Sequence, residues 1–209
     1  MKRHLILFIL FIFYGIFVCA QEAPTAKEKA TRPLTKWERK FGEIKYGDNI
    51  YRKGSNWFNF GIGAGYQINK EAFNQNISLA YYHRYKGVFF NAGWHFSSPE
   101  FFSFKPFGFV KSMEKVNDIH AGAGLRLENR WLHFGFFIGP SFATTWTPVS
   151  DYESRIHHNL GAHIELQLIF KYLYDLGVGV SAYGSFNKRY QVAGLQFTFY
   201  FSNAFVTKY

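Results

Sequence analysis

The sequence predicts an all-β protein, an antiparallel up-and-down transmembrane β-barrel of eight strands. Three observations predict it. After Ser55 the side chains alternate with period two in eight segments, the apolar side of each segment is free of Lys, Arg, Asp and Glu, and short connections alternate with longer ones. A helix would repeat its apolar residues at three and four, so period two marks strands.

In the first segment Phe58, Phe60, Ile62, Ala64, Tyr66 and Ile68 oppose Asn59, Gly61, Gly63, Gly65 and Gln67. In the second, Ile77, Leu79, Tyr81 and Tyr85 oppose Asn76, Ser78, Tyr82 and Arg84. The third sets Val88, Phe90, Ala92, Trp94 and Phe96 against Phe89, Asn91, Gly93 and His95. The fourth sets Ile119, Ala121, Ala123, Leu125 and Leu127 against His120, Gly122, Gly124, Arg126 and Glu128. Leu132, Phe134, Phe136, Ile138 and Phe142 oppose His133, Gly135, Gly139 and Ser141 in the fifth. In the sixth, Leu160, Ala162, Ile164, Leu166 and Leu168 oppose Asn159, Gly161, His163, Glu165 and Gln167. The seventh pairs Tyr174, Leu176, Val178, Val180 and Ala182 with Asp175, Gly177, Gly179 and Ser181. The eighth pairs Leu195, Phe197, Phe199 and Phe201 with Gly194, Gln196, Thr198 and Tyr200.

A Lys or Arg facing mid-bilayer lipid costs about 2–4 kcal/mol, so a charge-free apolar side is what a membrane barrel requires. The opposite side is mostly Gly, Asn, Gln, Ser and His. A water-washed sheet face would carry more Lys, Glu and Thr, so this composition suits a crowded interior. The connections at 85–87, 129–130 and 171–173 are tight, whereas 97–117 and 144–157 are long and 69–75 is moderate. Outer-membrane barrels keep short turns in the periplasm and long loops outside, which places both termini in the periplasm. Trp57, Tyr85, Trp131, Tyr172 and Tyr174 fall at the expected periplasmic ends, and Tyr66, Trp94, Phe96 and Phe142 toward the outer ends, as aromatic girdles would.

Composition agrees. Aromatic residues make up 22% of the chain, there are 19 glycines, and mean hydropathy is only −0.15. Lys2 and Arg3, the apolar run from Leu5 to Val18, and Val18-Cys19-Ala20 have the layout of a secretory signal peptide over residues 1–20. The run is short for a membrane helix. Val18 before the lone Cys19 argues against a lipoprotein signal. Much of the net charge of +10 lies between Lys27 and Lys53. Residues 21–54 are therefore expected to be a basic periplasmic extension, either disordered or carrying a short helix that starts near Thr35-Lys36-Trp37-Glu38. The barrel would occupy 55–209.

On these features the stretch from Ser55 to about Ser202 resembles the small eight-stranded outer-membrane barrel proteins, including those of Bacteroidota-type bacteria. The segment Leu195-Gln196-Phe197-Thr198-Phe199-Tyr200-Phe201 resembles their terminal-strand signal. The resemblance implies that the barrel assembly machinery reads Leu195, Phe197, Phe199 and Phe201. In the family that strand usually ends the chain. Here Ser202 to Tyr209 follow, so either the strand is longer or a short tail is left over.

An eight-stranded barrel is just wide enough for side chains to fill it. Phe89, Phe137, Tyr82, Tyr183 and Tyr200 are expected inside, with glycines giving them room. Arg84, Arg126, Glu128, Glu165 and Asp175 form an expected lumen charge network, with Glu165 the deepest. His95, His120 and His163 face inward and are the candidate metal ligands, the alternative being hydrogen-bonded interior imidazoles. His157-His158 with Asp151 and Glu153 invite the same reading. No catalytic set and no cofactor is expected. His95-Phe96-Ser97 has the spacing of the His-x-Ser motif of the lipid A 3-O-deacylases, with Glu100, Glu114 and Glu128 downstream. It falls early in the chain, however, and faces inward.

The leading expectation is a non-enzymatic integral outer-membrane protein with a filled lumen. It would act through its external loops, with Phe101 to Lys115 and Trp146 to Arg155 as the contact candidates, or by structural support of the membrane. Its expected partners are outer-membrane lipid, lipopolysaccharide and an extracellular or periplasmic protein, and no nucleic acid. A small channel, a soluble lipocalin-like carrier with its apolar sides inward, and a lipid A acyl hydrolase are the alternatives.

Overall fold

The computed structural model describes residues 42–46, 48–85, 87–99, 113–149 and 153–208. The expected leader, the extension as far as residue 41 with its Thr35–Glu38 helix start, residues 100–112 of the long loop, and Asp151 lie outside the described residues.

The described residues form eleven strands: β1 (Glu43–Tyr46), β2 (Asn49–Arg52), β3 (Trp57–Gln67), β4 (Ala72–Tyr85), β5 (Val88–Ser98), β6 (Lys115–Glu128), β7 (Leu132–Pro148), β8 (Ser154–Lys171), β9 (Leu176–Asn187), β10 (Gln191–Ser202) and β11 (Phe205–Lys208). Eight close into an antiparallel barrel in the order β10-β3-β4-β5-β6-β7-β8-β9, with β10 pairing both β3 and β9. The shortest barrel strands have 11 residues, matching the 9–11 or so that a tilted strand needs to cross hydrocarbon. Among the described residues, no helix is long and apolar enough to cross a membrane.

Burial follows the alternation. Leu125, Leu127, Phe134, Ile138, Leu166, Leu168, Leu195 and Phe197 are exposed on the outside, while Asn59, Ser78, His120, Glu165 and Thr198 are buried. Phe134 and Leu166 point away from the axis, so the carrier arrangement with apolar sides inward is not adopted. The glycines let the inner wall close. A Cβ on Gly124 would strike the carbonyl oxygen of Phe136 and the ring of Phe137.

Several expectations are corrected. Trp57 is not part of a girdle. It is 1% exposed and stacks on Tyr82 inside the barrel at 4.6 Å. It stands two residues before inward Asn59, so the alternation itself carries it in. Tyr174 is not an outward strand residue: β9 begins at Leu176, and Tyr174 is buried in the preceding turn. Lys171 belongs to β8 rather than to a turn, and it points into the lumen. The long connection expected at 144–157 is mostly a ladder, in which Thr144 to Pro148 pair with Ser154 to His158. Threonines and Trp146 favour a strand, and beyond the hydrocarbon both faces of a hairpin can be polar. The β3–β4 connection is only 68–71, closed by Glu71 in the left-handed region at φ 52°.

The ends of the barrel sequence are tied together. β11, the tail after Ser202, pairs with β2, which pairs with β1, giving a separate three-stranded sheet at the short-turn end. Residues 43–52 of the expected extension are thus a hairpin. Tyr51, Tyr174 and Ala204 form its buried cluster, with Tyr51 and Tyr174 rings 5.1 Å apart.

Candidate functional site

The inward side chains stack in layers between two mouths. At the short-turn mouth Glu128 is the focus. It accepts from Arg126 Nη2 at 2.6 Å, Lys171 Nζ at 3.1 Å and the Gly54 amide at 2.6 Å. Gly54 has φ 61°, a backbone shape that glycine adopts without strain, and this turns its N–H to the carboxylate. Arg126 also donates to the Ser55 carbonyl (2.6 Å) and to Tyr200 Oη (2.7 Å), and its guanidinium lies 4.3 Å from the Trp57 ring centroid. Lys171 Nζ sits 4.0 Å over the ring of Tyr174. Three charged groups are thereby compensated and hydrogen-bonded, as burial demands.

Of the expected charge network, the structure brings Arg126 and Glu128 together and adds Lys171, which the sequence reading missed. The signal was there, because Gln167, Ile169 and Lys171 continue the inward phase. Arg84 reaches the same mouth, donating to the Lys53 carbonyl at 3.2 Å. Asp175 forms no ion pair among the described residues. Its carbonyl accepts the Ser202 amide where the barrel chain ends. Glu165 stands apart and deeper, accepting from Tyr82 Oη at 2.7 Å.

Next comes an aromatic plug of Trp57, Tyr82, Phe89, Phe137 and Tyr200, with Ile169 and His133 against it. Packed rings at 4.6–6.3 Å from Trp57 leave no open bore at this level.

Beyond the plug lie the three candidate histidines, all buried. Adjacent strands β5 and β6 supply His95 and His120, and β8 supplies His163. The rings of His120 and His163 stack in parallel at 3.7 Å, and His95 meets their edges at 5.7 and 5.2 Å. His120 fits only because Gly93 opposite it has no Cβ; one there would meet its Nε2. Donor atoms of His120, His163 and Glu165 lie within 4.8 Å of one another, a spacing that could hold a metal ion. No described group hydrogen-bonds either ring nitrogen of His120 or His163. Asp118, which the sequence reading passed over, places Oδ2 4.0 Å from His163 Nδ1 and accepts from Ser185 Oγ. It is two residues before His120 and in the same inward phase.

The long-loop mouth is closed by Glu114. This residue joins opposite walls, accepting from Gln67 Nε2 (2.9 Å) at the end of β3 and from Thr147 Oγ1 (2.6 Å) at the end of β7, and pairing with Lys70. Burial would raise its carboxyl, but those hydrogen bonds and the lysine charge hold it below its ordinary value. Beneath it Tyr190, Val192, Val116, Ala143 and Tyr183 are buried together, and burial pushes the Tyr190 phenol up to about 12. No local pattern marks Glu114, whose partners are 33 to 47 residues away.

His95 and Ser97, the candidate His-x-Ser pair, both lie inside. His95 packs on Tyr183 at 4.5 Å, and Ser97 Oγ accepts from Tyr190 Oη at 3.3 Å. Glu114 and Glu128 are at opposite mouths. Among the described residues the motif assembles no lipid-facing site. His157 and His158 stand on the hairpin of β7 and β8, where His158 Nδ1 and Thr144 Oγ1 are 3.0 Å apart.

The chain matches no protein-family model and no curated protein. Among solved structures it is similar to Neisserial surface protein A, at TM-score 0.54 and 8% identity, over 70% of this chain and 95% of that one. It is also similar to the N-terminal β-barrel domain of Pseudomonas aeruginosa OprF (TM-score 0.48, 14% identity, 70% and 98%). A third likeness is to Ail, the attachment invasion locus protein of Yersinia pestis (TM-score 0.47, 12% identity, 72% and 95%). At these identities the first likeness shows the fold and nothing finer: the chain has the architecture of the small eight-stranded outer-membrane barrels.

Proposed function

We propose that this protein is an integral outer-membrane barrel with a sealed, non-conducting lumen, which acts through what it displays beyond the bilayer. The observation that carries the reading is the division of every barrel strand. Its outer side between the rims is apolar, and its inner side is packed against the plug and closed at both mouths. In this reading residues 1–20 direct export and are removed, 21–54 face the periplasm, and 55–209 hold the barrel. The chain would be a relative of the Bacteroidota-type barrels that its sequence resembles.

The displayed element is the hairpin of β7 and β8. Its pairing runs to Pro148 and Ser154, whereas β9 last pairs at Gly161. Ser154 to Leu160 therefore project past β9, about 23 Å of strand at 3.3 Å per residue. Arg155 and the neighbouring Lys188 and Arg189 suit lipopolysaccharide phosphates or an extracellular protein. Leu195, Phe197, Phe199 and Phe201 line the outer side of β10, where the assembly machinery would meet them.

Cell fractionation with gel mobility before and after heating tests the location: the protein should enter the detergent fraction and migrate faster unheated. Planar bilayers test the seal, with no conductance steps expected from the purified barrel. Recovery in the soluble periplasmic fraction, or regular open-channel steps, would overturn the proposal.

A further inference from the structure

The imidazole layer is more than a filled interior. His120 and His163 bury four ring nitrogens, and none has a hydrogen-bond partner among the described residues. A buried polar group without a partner is destabilising, so a core built for packing alone would carry apolar residues here or pair these nitrogens. The side chains around the two rings carry the chemistry of a metal shell. Tyr82 donates to Glu165 Oε2 and orients that carboxylate. Asp118 stands 4.0 Å from His163 Nδ1, outside hydrogen-bond reach. Only a turn of the ring would bring them together, and a carboxylate so placed behind a histidine holds the tautomer and leaves Nε2 to a metal.

The wall is also unusual here. Pairing of β6 with β7 lapses between His120↔Ser141 and Ala123↔Ile138. Pro140 falls in the lapse and has no N–H to donate. A recess opens at this point, lined by Asn91, Ala121, Ile138 and Gly139 beside His120 and His163. It is too narrow for a water molecule. Glu165 does not line it; what would hold an ion is the spacing of the three donors, all within 4.8 Å of one another.

We propose that His120, His163 and Glu165 bind one divalent transition-metal ion, of the Zn²⁺ class, inside the barrel, with Asp118 as a positioning residue for His163. Two imidazoles and one carboxylate favour such ions over Mg²⁺ or Ca²⁺. The rings are parallel at 3.7 Å, so sharing one ion requires one imidazole to turn until its lone pair meets the other's. The ion then ties β6 to β8 across β7.

The test folds the denatured protein into detergent micelles with Zn²⁺ or Co²⁺ present, so that entry into the closed lumen is not limiting. Excess ion is removed by dialysis, and metal per folded chain is counted. About one ion per chain is expected, with visible Co²⁺ absorption showing nitrogen ligation. His163→Gln and Glu165→Gln should each weaken binding by ~100-fold or more, and Asp118→Asn by ~10–100-fold, the range for a residue behind a ligand. His157→Gln with His158→Gln, on the projecting hairpin, should leave the count unchanged. Heat-modifiable mobility reports whether each variant has folded. If a lumen variant does not fold, the wild-type count and the Co²⁺ spectrum decide. Absence of stoichiometric metal in folded wild type overturns the proposal, as does uptake that survives His163→Gln and disappears with the hairpin pair.

Discussion

Glu128 holds two buried cations at once, which makes Glu128→Gln the most informative perturbation of the short-turn mouth. The side chains of Arg126 and Lys171 are 1% and 0% exposed, and both contact Glu128 Oε2. Asp175 does not join them, so the substitution leaves two positive groups in the lumen with no carboxylate beside them. Removing one member of a buried ion pair costs about 3–5 kcal/mol. Arg126→Met removes three hydrogen bonds yet should cost less. Glu128 keeps Lys171 and the Gly54 amide, and the remaining loss is Tyr200 Oη and the Ser55 carbonyl without their partner, about 1–3 kcal/mol. In the Arg126→Met background one uncompensated cation replaces two, so Glu128→Gln should cost less there than in wild type, with a coupling of about 0.5–3 kcal/mol. Urea unfolding in micelles, followed by Trp fluorescence and heat-modifiable mobility, measures all four proteins. An Arg126→Met variant as unstable as Glu128→Gln, or additive single effects, would refute the charge-balance reasoning.

Lipid contact can be measured by depth. Leu166→Arg, at mid-strand on the outer face, should cost about 2–4 kcal/mol. Leu160→Arg, on the projecting hairpin and 78% exposed, should change stability by less than about 0.5 kcal/mol in the same assay. Gly124→Val should cost about 1–3 kcal/mol by overpacking, because its new carbon meets backbone at Phe136 that cannot swing aside; a neutral urea midpoint would contradict this. The Glu114 carboxyl is held below its ordinary 4.5 in the folded protein. Its stabilisation is therefore full above 4.5 and is lost as pH falls through the lower folded value. The urea midpoint of wild type should drop across that window by more than that of Glu114→Gln, and equal drops would remove Glu114 from the latch.

The alternation of Leu125 with Arg126, or Leu166 with Gln167, was legible because a strand turns successive residues to opposite sides. Once one side must meet lipid, the inward set follows, His95, His120 and His163 included. The same logic reaches Trp57, Asp118 and Lys171, which lie in phase with their neighbours but beyond the segment ends drawn from apolar residues. Period two says nothing about which strand stands opposite which. Barrel closure decided that Glu114 would meet Gln67 and Thr147, and that Arg126 would meet Ser55 and Tyr200. It also put His163 flat against His120, while Glu165 parted from Glu128. The tail strand on β2 belongs to the same class, since Phe205 and Tyr51, far apart in the chain, pair where the closed barrel brings its two ends together. Side-chain direction is a property of each residue and its phase. Contact across a lumen depends on the strand count and stagger of the whole sheet, and no short stretch of sequence encodes that.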